Sequence, residues 1–268
     1  MQRRAVLLAL LACPALAMAA DATPRIGVVV MHGKGGSPQR HVDTLAQGLE
    51  RRGLLVANLD MPWSGRRNYD ATLEDAVTEV ATALAGLRQR GATHVFLAGH
   101  SQGGVFAFHA ATRIPLNGVI AIAPGGSVGT PVFREQLGAT YEEAKSLIAA
   151  GRGKEVARLA DFEGAHGRYP ITTTPERYVT WFDPDGGMNM LVALRKLDAK
   201  MPVLYVAPTG DYPALLKSKP MMVAALPSNP LTVVYEPSAT HLQAPAASVE
   251  RIVEWTAVVT RSASAMTP

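Results

Sequence analysis

A chain of 268 residues, 48% apolar and 18% charged, is long enough to bury one substantial core and too apolar to remain disordered. Its 26 basic and 22 acidic residues give a formal charge of +4, which drops to +2 once Arg3 and Arg4 are set aside. No concentrated basic block remains, which argues against nucleic acid as a partner.

Arg3 and Arg4 precede an apolar run over 5–12, and small residues Ala17 and Ala19 follow it. This pattern predicts an export signal over residues 1–19, too short and wrongly flanked for a stable membrane span. Cys13, the only cysteine, lies inside it. After Leu10, Leu11 and Ala12 it also offers a lipoprotein site, which Pro14 suits poorly. Cleavage near Ala19 would leave a chain of about 249 residues, without a thiol, in the periplasm or outside the cell.

The predicted elements then alternate. Ile26–Met31 is an unbroken apolar run, as is 54–59 apart from Asn58; between them Val42, Leu45, Ala46 and Leu49 recur at helical spacing. Over 72–90, Leu73, Ala76, Val77, Val80, Ala81, Leu84 and Leu87 mark one helical face, with Thr72 and Asp75 as its N-terminal cap and Gly91 after its last turn. Within 93–113 an apolar strand (95–98) runs through Gly99-His100-Ser101-Gln102-Gly103 into a helix. A serine there sits on a tight reversal at the carboxyl edge of a sheet, and larger residues in place of the flanking glycines would make strand and helix collide. Ser101 is the expected nucleophile.

Another buried strand follows at 118–123, and two more at 203–207 and 231–235 resume the pattern before a closing helix over 246–258. Alternating helices and continuous apolar strands predict an α/β architecture: a mostly parallel sheet covered on both faces. Residues 127–200 interrupt it as a cap or insertion. Within it, 141–150 and 154–159 suit short helices, and 169–187, with its prolines, aromatics and glycines, suits an irregular segment.

A serine nucleophile needs a base and an acid to orient that base. Asp211 lies beyond the strand at 203–207 and His241 beyond the strand at 231–235, so serine, acid and histidine fall in that order at successive strand ends. The loop after the first strand reads His32-Gly33-Lys34-Gly35-Gly36-Ser37-Pro38. From it the main-chain N–H of Lys34 could meet that of Gln102 on an oxyanion, with the Lys34 ammonium reaching solvent. A phosphate-binding loop is the rival, but its G-x-x-x-x-G-K-[ST] spacing is missing. His32 suits support of the loop better than base catalysis. The seven histidines form no H-E-x-x-H or compact carboxylate cluster, so neither metal nor cofactor is expected. Met61, Trp63, Tyr178 and Trp181 are candidates to line an apolar substrate cleft, or else the underside of a loop and cap.

Through His32-Gly33, the Gly99–Gly103 pentapeptide, Asp211 and His241, residues 25–260 resemble the α/β-hydrolase family of esterase, lipase and thioesterase type. The resemblance implies attack by Ser101, proton transfer by His241, orientation by Asp211 and an oxyanion hole from the Lys34 and Gln102 amides. It implies a small-molecule acyl ester as substrate, with a peptidase, an amidase or a noncatalytic binding protein as alternatives. Only six core strands are visible, so the initial antiparallel strands of larger members are expected to be absent. The sequence does not indicate an oligomeric state.

Overall fold

The computed structural model describes residues 24–164 and 166–265; the expected export signal lies outside them. Six parallel strands form one sheet in the order β2-β1-β3-β4-β7-β8. They are β1 (Ile26–Met31), β2 (Leu55–Leu59), β3 (His94–His100), β4 (Gly118–Ile122), β7 (Val203–Val206) and β8 (Val233–Tyr235). Strand alternation divides the core in two. Val29, Met31, Leu97, Val119 and Ala121 face one side, whereas Val28, Val30, Phe96, Ile120 and Ile122 face the other. This is why the strands read as continuous apolar runs.

Helices α1 (Asp43–Arg51), α2 (Leu73–Gln89), α3 (Gln102–Ala111) and the closing α9 (Val249–Ala265) cover these faces. The cap of α2 forms as expected: Thr72 Oγ1 accepts from the Asp75 N–H while the Asp75 carboxylate accepts from the Thr72 N–H. A four-residue helix, α8 (Ala244–Ala247), precedes α9, so the final helix starts later and runs further than its apolar pattern indicates. A further helix, α7 (Pro213–Ala224), escaped the sequence reading; with Pro220 inside it and only Met222 buried, it has no clear apolar stripe.

Between β4 and β7 lie α4 (Pro131–Ala149), β5 (Ala157–Glu163), β6 (Gly167–Thr173), α5 (Pro175–Phe182) and α6 (Met190–Lys196). Two expectations fail here. Residues expected as a helix at 154–159 lead into strand β5, and the supposedly irregular 169–187 contains most of β6 and all of α5. β5 and β6 pair antiparallel, with Leu159 opposite Ile171 and Asp161 opposite Tyr169. Pairing with a neighbouring strand, which local propensity does not register, decides the outcome. α5 begins with Pro175 in its first turn, capped by Thr174, so the proline starts the helix rather than breaking it.

The chain passes from β1 to β2 on one side and then crosses to β3 on the other. Loops after β1 and β3 therefore diverge and leave a crevice at the carboxyl edge, where open α/β sheets place their ligands.

Candidate active site

Ser101 stands between β3 and α3 with φ 54° and ψ −118°, a region that non-glycine residues rarely occupy. The strain is held by its surroundings: Ser101 N–H donates to the Ile122 carbonyl, and the Ser101 carbonyl accepts from Gly104 and Gly125. The two flanking glycines are required. A Cβ on Gly99 would lie 2.0 Å from the Gly103 carbonyl oxygen, and one on Gly103 would lie 2.7 Å from that of His32.

Asp211 and His241 meet at 2.7 Å, Oδ1 to Nδ1, with both side chains almost fully buried. The loops that carry them run side by side: Gly210 bridges Thr240 and its N–H donates to the Ala239 carbonyl. A carboxylate only accepts, so His241 carries its proton on Nδ1 and leaves Nε2 as the basic nitrogen. Two further residues seat this imidazole. His100 Nε2 donates to the His241 carbonyl at 3.0 Å, and the Tyr212 ring stacks on His241 with centroids 4.4 Å apart. Burial drives the His100 pKa down to about 3, so this second ring stays neutral beside the base. No hydrogen bond joins Ser101 Oγ to His241 among the described residues; such contacts commonly tighten only around substrate.

Gly33 lies directly against Ser101, since a Cβ there would come within 3.0 Å of Ser101 Cβ. The next residue, Lys34, therefore follows in the loop that borders Ser101, as does Gln102 at the start of α3. His32 supports that loop as expected. Its Nε2 accepts from the Met61 N–H, its Nδ1 donates to the Gly33 carbonyl, and burial lowers its pKa.

The Lys34 ammonium does not reach solvent. It donates to Asp161 Oδ1 at 2.5 Å and to the Phe162 carbonyl, beneath the rings of Phe133 and Phe182. Asp161, wholly buried, also accepts from the Tyr69 and Tyr169 hydroxyls and from the Phe162 N–H. The β5–β6 hairpin is thus tied to the loop after β1. No motif announced Asp161, and only its place as a lone acid between Ala160 and Phe162 in an apolar stretch set it apart.

Met61, Trp63 and Tyr178 do not line a cleft. They are at most 1% exposed and form core with Phe106 and Phe182. Trp181 does border a narrow, closed cleft beside Gln102, with Lys34, Tyr69, Phe182 and Met188. A larger cavity, about 370 Å3, lies away from Ser101 between α4 and the β5–β6 hairpin. Among the described residues no group of three His, Cys, Asp or Glu is placed to hold a metal ion, and no helix is long and apolar enough to cross a membrane.

A parallel sheet with a strained serine turn after β3, and an acid and a histidine after its last two strands, defines an α/β-hydrolase of the serine-hydrolase class. The family model described as serine aminopeptidase, S33, matches residues 22–163, just over half of the chain, and the chain belongs to that family. No curated protein matches it. Solved structures agree on the fold. One, of the metagenome-derived lipolytic enzymes LipS and LipT, is 22% identical over 89% of this chain and 94% of that one, with a TM-score of 0.58. Est1E from Butyrivibrio proteoclasticus with bound ferulic acid gives 18%, 88%, 92% and 0.58 for the same measures. A monoacylglycerol lipase from Paleococcus ferrophilus gives 21%, 87%, 92% and 0.57.

Proposed function

We propose that this chain is an exported serine hydrolase that cleaves carboxylic esters through an acyl-enzyme on Ser101. The observation that carries the reading is the buried Asp211–His241 pair, which leaves His241 Nε2 as a base on the sheet edge that also presents Ser101.

In this mechanism Ser101 Oγ attacks the ester carbonyl carbon as His241 Nε2 takes its proton. Asp211 keeps the ring oriented and stabilises the imidazolium. The oxyanion accepts from the main-chain N–H groups of Lys34 and Gln102, neither of which donates to another described residue. Collapse breaks the carbon–oxygen bond to the alcohol, which leaves with the proton returned by His241. Water then repeats the sequence on acyl-Ser101 and releases the acid. Residues 127–200 serve as a cap over this edge, and residues 1–19 as the leader that exports the chain. N-terminal sequencing of the processed protein tests the leader, and an intact Met1 on cytoplasmic protein contradicts it.

The second reading is an aminopeptidase, favoured by the description of the matched family. p-Nitrophenyl esters compared with aminoacyl p-nitroanilides, each corrected for the Ser101→Ala rate, separate the two. Esterase chemistry predicts higher kcat/KM for an ester; an anilide cleaved at least tenfold better than every ester defeats it.

A further inference from the structure

The hydrogen bonds around Asp161 run in one direction, and they end on the side chain of the residue that follows Ser101. Asp161, paired with the Lys34 ammonium, offers only acceptors, and both the Tyr69 and Tyr169 hydroxyls point their protons at it, at 2.8 and 3.0 Å. A phenol has one proton. Burial, reinforced by the neighbouring Asp161 charge, holds that proton on Tyr69 far above the usual phenol range. The Tyr69 oxygen therefore has only lone pairs for its other neighbour, and the Gln102 side chain, 3.3 Å away, must present Nε2–H to it. The amide cannot turn over without placing two acceptors face to face.

Gln102 Oε1 is consequently fixed on the far side. It is buried, and no described residue donates to it. It lies next to Gly126, where an added Cβ would stand 3.8 Å away, at a closed cleft that Phe182 and Met188 also line. An acceptor held in place and left unpaired is costly to keep. A site of this kind favours a ligand that brings the missing donor over one that lacks it. Lys34 borders the same cleft and no carboxylate among the described residues lines it, so nothing there favours a cationic donor. The Met188 side chain is unbranched and adaptable, so this wall can yield to a small group.

We propose that Gln102 Oε1 is a specificity determinant that accepts a hydrogen bond from a hydroxyl group on the acyl part of the substrate, making short hydroxyacyl esters the preferred class. This rests on the serine-esterase reading above. The side chain of Gln102 selects the acyl group, while its main-chain N–H serves every substrate alike.

The test compares p-nitrophenyl butyrate with the 2-hydroxybutyrate and 3-hydroxybutyrate esters, each kcat/KM divided by the ester's own rate with hydroxide. Wild type should favour at least one hydroxy ester by roughly tenfold to a hundredfold, the scale of one satisfied buried acceptor. Gln102→Met removes the acceptor and should bring this ratio to about one, whatever happens to the absolute rates. Tyr69→Phe frees the amide to turn and should lower the ratio in the same direction, which keeps the test decisive if Gln102→Met fails to fold. A wild-type ratio at or below one for both hydroxy esters overturns the proposal, as does a ratio that survives either variant. Cleavage of none of the three esters instead removes the esterase reading, and the proposal with it.

Discussion

Two aspartates with buried side chains each hold a partner in a loop at the carboxyl edge of the sheet, and the partners differ in kind. Asp211 faces one imidazole, a ring whose two nitrogens can each hold or accept a proton. Asp161 faces an ammonium, two phenols held protonated by burial and a backbone N–H, all of which only donate to it. The first pair is matched to proton transfer and the second to fixed geometry. Burial alone does not tell a catalytic carboxylate from a structural one; the chemistry of its partner does.

Substitutions on the Asp211 side should therefore remove rate with little loss of fold. His241→Ala should lower kcat for an activated ester by about four orders of magnitude or more, and Asp211→Asn by about three to four, with thermal unfolding near that of wild type. Equal losses of rate and stability in Asp211→Asn would erase the distinction.

On the other side the order should reverse. Lys34→Met or Asp161→Asn leaves a buried partner uncompensated and should destabilise the chain by about 3–5 kcal/mol. That corresponds to a drop in Tm of roughly 6–20 °C for a domain of this size. The double variant Lys34→Met/Asp161→Asn removes both charges while keeping an acceptor for the two tyrosines, and should recover much of the loss, as read by urea titration. Additive losses in the double variant would show that the two side chains act independently.

Acid should loosen the catalytic side first. His100 has its pKa lowered from 6.5 to about 3 by burial, so the unfolded chain binds a proton there that the folded chain does not. Its contribution is complete above pH 6.5 and is lost progressively as pH falls toward 3, by about 1.4 kcal/mol per unit. His32, shifted the same way, adds to the slope. Denaturant titrations at pH 7.5, 6.5 and 5.5 should show this decline above the range in which ordinary carboxylates titrate; flat stability across that interval contradicts it.

The same contrast explains what the sequence made legible. Ser101, Asp211 and His241 each follow an apolar strand, and parallel strands bring their carboxyl ends together, so order along the chain anticipated the meeting of Asp211 and His241. Six strands and the Thr72 cap were readable for a similar reason, because each is local. Asp161 was not: its partner Lys34 is 127 residues away, joined through a hairpin whose strands stabilise each other rather than themselves. Met61, Trp63 and Tyr178 were left open between cleft and buried underside because core and cleft use the same residue types, and only packing separates them. α7 was missed because a helix on the protein surface with a proline inside carries no periodic stripe.

The central claim is that Ser101 is a nucleophile activated by His241. Incubation of the folded chain with a small fluorophosphonate, followed by peptide mass mapping, tests it without knowledge of the substrate. A single adduct on Ser101 is expected, absent from Ser101→Ala and formed at least a thousandfold more slowly in His241→Ala. A folded wild type that takes up no adduct, or takes it on another serine, would contradict the account.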